Sequence, residues 1–324
     1  MNTAPHVVVL AGGVGGAKAA DGVYRLLPDT LIVIVNTGDD FEHLGLPISP
    51  DVDTVMYTLA GLHHPERGWG LAGDTFHALE MLGRYGAPTW FQLGDKDLAT
   101  HILRRHWRDE GLPLSEITDR LRRALGVRAR ILPMSDDPVR TVVETEEGTL
   151  PFQEYFVHRR AEPRVRAIRF QHVEKARPAP GVREAIQHAD VILLAPSNPY
   201  LSIDPILHVG DLRALLRARR SRVVAISPIV GGKAIKGPAA KLMAEFGLTP
   251  SPLAVAEHYR DIVGHFLLDT VDARYADAIR SLDMDVVMTD TWMRTVEDKE
   301  RVARVALSSV LGDGWEKGRG AGDE

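Results

Sequence analysis

The sequence predicts an α/β fold in which a mostly parallel sheet lies between two helical layers and carries an inserted smaller lobe. Two observations carry that prediction. Four short apolar runs recur along the chain, at residues 6–10 (HVVVL), 31–35 (LIVIV), 190–195 (DVILLA) and 222–226 (RVVAI). None alternates polar with apolar residues, as expected for parallel strands covered on both faces. The second observation is the set of helix-period segments between and after them, at 18–27, 54–60, 74–82, 98–109, 115–125, 182–188, 212–218, 239–246 and 299–311. Strands that alternate with helices in this way point to a Rossmann-like three-layer fold.

One stretch departs from the pattern. Residues 129–157 read as two or three strands with a turn at Glu147-Gly148, and a Pro- and Arg-rich segment runs on to Gly181. The expected organisation is therefore a catalytic domain of residues 1–128 and 182–311, an inserted lobe of 129–181, and a flexible tail of 312–324. Ser115 is expected to cap its helix.

Composition narrows the function classes. With 324 residues and 44% hydrophobic content, the chain carries enough apolar surface for a large core. A net charge of −5 without a basic block argues against non-specific nucleic-acid binding. The absence of cysteine removes disulfides, thiolate metal sites and a cysteine nucleophile. The 13 histidines show no metal-ligand spacing. His101 and His106, five apart on a helix, do not share a face and read as structural. No run of 18 apolar residues occurs, and a strand begins near residue 6, so neither a signal peptide nor a membrane span is expected. Cytoplasmic residence is the expectation.

The loops after the four strands carry the chemistry: AGGVGG, NTGDD, PSNP and SPIVGG. Ligands of open parallel sheets bind at the carboxyl ends of strands, so these loops are expected to share one crevice. Gly12, Gly13, Gly15 and Gly16, between strand and helix, suit a phosphate held by backbone N–H groups and a helix N-terminus. Lys18 stands where the dinucleotide fingerprint requires glycine, and the Walker A order of Lys then Ser or Thr is absent. Asn36 stands where a ribose-binding acid belongs in NAD enzymes. Asp39, Asp40, Asp51 and Asp53 suit Mg²⁺, which takes one or two carboxylates together with phosphate oxygens. Helix capping is the ordinary alternative for Asp51, Asp53, Asp95 and Asp97.

Two further segments stand out. Arg67-Gly68-Trp69-Gly70 reads either as a wall for a planar ligand or as a surface loop with a packing Trp. Ser197, Asn198, Ser227 and Gly231, with Lys233 and Lys236 nearby, suit a diphosphate or a base edge, although turn chemistry alone explains the same residues.

The ordered set LAGGVGGAK, VNTGDD, ISPDVDTVMYTLAG, RGWGLAGDTF, LGDKDLATHILR, ILPMSDDPV, PSNPYLSIDPIL, SPIVGGKAIKGPAAKLM and AEHYRDIV resembles the 2-phospho-L-lactate transferase / phosphoenolpyruvate transferase family of coenzyme F-420 biosynthesis. The match runs in register from about residue 7 to about residue 295. The resemblance implies an Mg²⁺-dependent transfer of a phosphorylated three-carbon acid from its guanosine diphosphate ester. The acceptor is 7,8-didemethyl-8-hydroxy-5-deazariboflavin, and GMP is released. It implies Asp53 at the deazaflavin site near the metal, where Asp53 either orients the metal or accepts the hydroxyl proton. It places Gln92 at a deazaflavin contact where some relatives carry Lys, and Arg67 and Trp69 are expected to bind the deazaflavin as well. Asp39, Asp40 and Asp53 are the expected metal ligands. The glycine loop with Lys18 holds donor phosphates, and Ser197, Asn198, Ser227 and Gly231 hold the nucleotide. Relatives of this kind form homodimers. The competing readings are a nucleotide-sugar-binding regulator of the gluconeogenesis type, without chemistry, and an ordinary nicotinamide dehydrogenase. The first has no use for a deazaflavin pocket, and the second is weakened by the broken fingerprint and Asn36.

Overall fold

The computed structural model describes residues 4–318. Its centre is a seven-stranded sheet, and all six pairings within it are parallel. Across the sheet the strands run Asp285–Thr289, His265–Asp269, Val223–Ile226, Val191–Leu194, Val7–Ala11, Leu31–Val35 and Arg130–Pro133. The chain starts in the middle at Val7–Ala11, moves outward through the next two strands, then returns to the other flank of the first strand at Val191–Leu194. That reversal makes the topological switch point of a doubly wound sheet, where the ends of adjacent strands part and a ligand crevice opens.

The four runs read from sequence are strands of this sheet, and the α/β Rossmann-like architecture is as expected. Alternation within each strand builds the three layers. Val7, Val9 and Ala11 with Leu31, Val33 and Val35 face the helices Gly13–Leu26, Pro50–Leu59 and Val296–Leu311. Val8, Leu10, Ile34, Ile192 and Leu194 face the opposite layer, which contains Val182–His188, Asp204–His208 and Leu212–Ala218. Both faces are dry, so each fully buried aliphatic side chain contributes roughly 1.5–3 kcal/mol and no polar residue is tolerated along the inner strands.

The segment 129–181 divides between two structures. Arg130–Pro133 pairs with Leu31–Val35 and closes the main sheet at one edge. Arg140–Thr145, Gly148–Pro151 and Val165–Gln171 form a separate antiparallel sheet, joined through the Glu147-Gly148 turn. Two strands of the main sheet, His265–Asp269 and Asp285–Thr289, are not evident in the sequence because each is a single short run next to charged residues.

Several caps differ from expectation. Ser115 lies inside the helix Leu114–Ala124, whose N-cap is Pro113; its N–H and hydroxyl both donate to Asp136. Asp51 and Asp53 also lie inside their helix, which Pro50 starts behind Ser49. Asp95 and Asp97 sit within Asp95–Asp109. Asp95 accepts the N–H groups of His77 and Ala78 at the start of the preceding helix, while Asp74 accepts those of Lys96 and Asp97. The two helices are capped reciprocally across the loop between them. Beyond Gly312, a 3-10 turn spans Trp315–Gly318, with Trp315 donating to Ser308, and the rest of the tail lies outside the described residues. No helix among the described residues is long and apolar enough to cross a membrane.

Candidate functional site

A cleft of about 930 Å³ opens at the switch point. Its floor is the glycine loop, and close approach of neighbouring groups requires glycine at several of its positions. A Cβ on Gly12 would lie 2.7 Å from Asp51 Oδ2, one on Gly15 2.5 Å from the Pro196 carbonyl, and one on Gly16 2.8 Å from Ser197 Oγ. Gly13 adopts φ +61°, the left-handed region. The helix Gly13–Leu26 thus begins pressed against the loop after Val191–Leu194, and the free N–H groups of its first turn face the cleft. Ser197 locks the two loops together: its hydroxyl donates to the Gly12 carbonyl at 2.8 Å and accepts from the Gly12 N–H at 3.2 Å.

Asn36 organises the adjoining carboxylates. Fully buried at the end of its strand, it donates to Asp51 Oδ2 at 2.9 Å and to the Leu201 carbonyl at 3.3 Å, and accepts from Gly38 N–H. Asp51 Oδ1 accepts the Gly13 N–H at 2.7 Å. Burial pushes Asp51 up to about 6 against those hydrogen bonds. Asp39 is raised well above the usual carboxylate range, first by burial and then by the Asp51 charge. Burial likewise lifts Asp40 to about 7, opposed by Arg140 and the Ser49 hydroxyl. Asp39 Oδ1 and Asp40 Oδ1 are buried without a hydrogen-bond partner. Asp39, Asp51 and Asp53 line the cleft; Asp40 lies behind it.

Asp53 has a different environment. Arg104 grips both of its carboxylate oxygens, with Nη1 3.1 Å from Oδ2 and Nη2 on Oδ1. Arg104 is completely buried, and the neighbouring Asp53 carboxylate raises its pKa despite the burial cost. Removing one partner of such a pair costs on the order of 3–5 kcal/mol. His101 lies beside them at 3.1 Å from Arg104 Nη1. Neither Arg104 nor the proximity of His101 is expected from sequence, although the spacing of Asp97, His101 and Arg104 along one helix stripe carries the signal.

The walls come from separate loops. Gln92, Arg67 and Trp69 line one side, with the Arg67 guanidinium 5.5 Å from the Trp69 ring centroid and 5.6 Å from that of Phe76. The loop carrying them leans on the floor: a Cβ on Gly68 would lie 2.6 Å from Val14. Lys236 Nζ donates to the Arg67 carbonyl at 2.5 Å, bridging the cleft. Phe152 and Phe156 from the antiparallel lobe stack at 5.3 Å, and Gln153 donates to the Asp39 carbonyl. Lys18 Nζ donates to the Met293 carbonyl, and burial with the nearby Lys299 and Lys236 lowers its pKa. Asn198 accepts from the N–H groups of Tyr200 and Leu201, and its Nδ2 has no protein partner.

Thus Gly12, Gly13, Gly15, Lys18, Asp39, Asp53, Arg67, Trp69, Gln92, Ser197 and Asn198 meet in one cleft, as does Asp51. Gly16, Asp40, Ser227 and Gly231 do not line it. Gly16 supports the floor from beneath. Ser227 is buried and closes its own turn with Ile229, and the Gly231 N–H is taken by Asp272; their neighbours Pro228 and Lys236 reach the cleft instead. Among the described residues no group of three or more His, Cys, Asp or Glu side chains forms a metal cage.

At the switch point of this doubly wound sheet, a glycine-rich helix start, paired carboxylates and lysines form an arrangement suited to phosphate esters. The match to known families is specific. The chain belongs to the family described as 2-phospho-L-lactate transferase CofD, whose profile spans residues 7–307. It is 43% identical over 310 residues to a phosphoenolpyruvate transferase of Streptomyces coelicolor, covering 94% of this chain and 97% of that one. It is 42% identical over 306 residues to a 2-phospho-L-lactate transferase of Methanopyrus kandleri, with 94% and 97% covered. In three dimensions it resembles a UPF0052-family protein from Bacillus halodurans, with a TM-score of 0.62 at 18% identity over 94% of this chain and 99% of that one, a likeness of fold. The chain is therefore a transferase of the coenzyme F-420 biosynthesis family.

Proposed function

We propose that this transferase moves a phosphorylated three-carbon acid from its guanosine diphosphate ester to the terminal ribityl hydroxyl of 7,8-didemethyl-8-hydroxy-5-deazariboflavin, with Mg²⁺ bound. The observation that carries this reading is the single cleft in which a phosphate-binding helix start faces a paired-carboxylate group and an aromatic wall. Its volume lies in the range that takes substrates of this size.

The donor diphosphate lies over the glycine loop, where N–H groups of the helix start and Lys18 offset its charge. Asn198 Nδ2 supplies a free donor for the nucleotide. Asp39 and Asp51 fit Mg²⁺ better than Asp40 and Asp53. Asp39 lines the cleft and has a buried oxygen without a partner, Asp51 shares the glycine loop, and two carboxylates plus substrate phosphates suit this ion. The Asp53 charge is already offset by Arg104, which weakens its attraction for a cation, and Asp40 stands behind the cleft. When bound, Mg²⁺ would offset charge on the diphosphate and on departing GMP.

The deazaflavin ring lies against Trp69 and the Phe152–Phe156 wall, with Gln92 at its edge and its ribityl hydroxyl toward Asp53. The hydroxyl oxygen attacks the β-phosphorus. A new P–O bond forms to the ribityl oxygen, the bond from β-phosphorus to the bridging oxygen breaks, GMP leaves with that electron pair, and the hydroxyl proton passes to solvent. Positioning and electrostatics supply most of the rate in such transfers.

The test is mass spectrometry of the protein mixed with the deazaflavin alcohol and each guanosine diphosphate ester (of phospholactate, phosphoenolpyruvate or phosphoglycerate), with and without Mg²⁺. The expected result is a phosphodiester product plus GMP from one donor, lost without Mg²⁺. No product from any donor overturns the reading.

A further inference from the structure

The helix Asp95–Asp109 buries two side chains, and both are polar: His101 and Arg104. Surface helices ordinarily bury an apolar stripe. Here Asp97, His101 and Arg104, four and three residues apart, form the stripe, and it meets Asp53 and Tyr57, four apart on the helix Pro50–Leu59.

The contacts run as one chain ending at the cleft. The Tyr57 hydroxyl donates to Asp97 Oδ1 at 2.7 Å and lies 2.8 Å from the Thr100 hydroxyl. His101 Nε2 lies 3.2 Å from Asp97 Oδ2. Arg104 Nη1 lies 3.1 Å from His101 Nδ1, 3.4 Å from the Pro47 carbonyl and 3.1 Å from Asp53 Oδ2, while Nη2 takes Asp53 Oδ1. A guanidinium only donates, so His101 Nδ1 accepts and Nε2 carries the proton. Nε2 lies close to Asp97 Oδ2 but outside hydrogen-bond geometry, a contact of charge and packing.

Burying this many polar groups costs free energy that a well-packed apolar stripe would not, so stability does not account for the arrangement. What it does achieve is orientation. A two-pronged guanidinium fixes the plane of a carboxylate and leaves its outward lone pairs directed away from the fork. Asp53 lines the cleft, so those lone pairs are available to a ligand there.

We propose that Arg104, braced through His101 by Asp97, is a positioning residue that fixes the Asp53 carboxylate as the hydrogen-bond acceptor for the incoming hydroxyl. The inference rests on the transferase reading. Displacement of a reacting group by about 1 Å costs roughly 10²-fold in rate, which sets the scale of the effect.

Arg104→Lys keeps the charge and loses the fork. In it, kcat is expected to fall roughly 50-fold and acceptor affinity roughly tenfold, while GDP binding by calorimetry stays within about threefold. In an Asp53→Asn background the same change is expected to add less than about twofold, because the residue it positions is gone. Should Arg104→Lys fail to fold, Asp97→Asn at the outer end of the chain reads the same coupling, with a kcat loss of about fivefold that also vanishes in Asp53→Asn. Acceptor affinity is read from quenching of Trp69 and Trp90, which line the cleft, and so needs no turnover. A wild-type protein that binds the deazaflavin but forms no product counts against the transferase reading, and the affinity loss in the variant still decides this inference. Turnover and acceptor affinity within twofold of wild type, losses that multiply with Asp53→Asn, or GDP affinity falling in step with turnover would each overturn it.

Discussion

Asn36 donates to Asp51 at 2.9 Å, and Asp51 in turn accepts the Gly13 N–H at 2.7 Å, so one buried amide ties the carboxylate group to the phosphate loop. The second strand therefore sets the distance between the anion site and the proposed metal site. Asn36 is fully buried and makes no contact with the cleft itself.

Replacing Asn36 with Ala is expected to leave Asp51 held at one oxygen, by the Gly13 N–H, and so less well oriented. Partners that orient a metal ligand are typically worth 10–100-fold in affinity or activity. The Mg²⁺ concentration giving half-maximal turnover should rise by about that factor, with kcat at saturating Mg²⁺ largely restored. An unchanged Mg²⁺ titration would remove Asp51 from the metal site.

Gly15→Ala is expected to weaken both folding and GDP binding. The new methyl would lie 2.5 Å from the Pro196 carbonyl, a backbone atom, so the helix start or the opposite loop must move. Overpacking of this kind costs roughly 1–3 kcal/mol, to be read from denaturant unfolding. GDP titration of the folded fraction should show the accompanying loss.

Burial raises Asp51 to about 6 and Asp40 to about 7, against roughly 3.9 in an unfolded chain. Between those values the folded protein binds more protons than the unfolded one. The stability these groups contribute is therefore present below about pH 4 and is lost as pH rises through 6 and 7. The Tm of metal-free protein should fall from pH 5 to pH 8, and Asp40→Asn should flatten that slope. A slope unchanged by Asp40→Asn would place the proton elsewhere.

The C-terminal helix is fastened to the glycine-loop helix by a buried ion pair, Lys299 to Asp21 at 2.8 Å. Lys299→Met leaves Asp21, among the described residues, with the partly exposed Arg25 as partner. Breaking a buried pair costs about 3–5 kcal/mol, and Arg25 should hold the loss near the lower end. Asp21→Leu combined with Lys299→Met should recover most of it, because an apolar pair of similar volume carries no desolvation cost.

Much of the fold could be read locally. Residues 31–35 and 191–194 lack polar alternation because both faces of a parallel strand are covered, and that requirement is written in the run itself. The glycines of residues 12–16 were equally legible, since a chain pressed between a helix start and a second loop admits no side chain. The strands His265–Asp269 and Asp285–Thr289 were not: the first is a three-residue apolar core between His265 and Asp269, and the second, at the sheet edge, accepts exposed residues that mask the pattern.

For the site, the sequence by itself determined which chemical groups are available: phosphate-binding glycines, a set of acids, lysines and a Trp-bearing loop. Only the tertiary structure decided how the acids divide. Asp51 turns to Asn36 and the glycine loop, Asp40 retreats behind the cleft, and Asp53 is claimed by Arg104 from a helix 51 positions further along. A carboxylate's role depends on which charge or donor lies within about 4 Å of it, and that distance is set by the packing of helices remote in sequence. No local pattern encodes it.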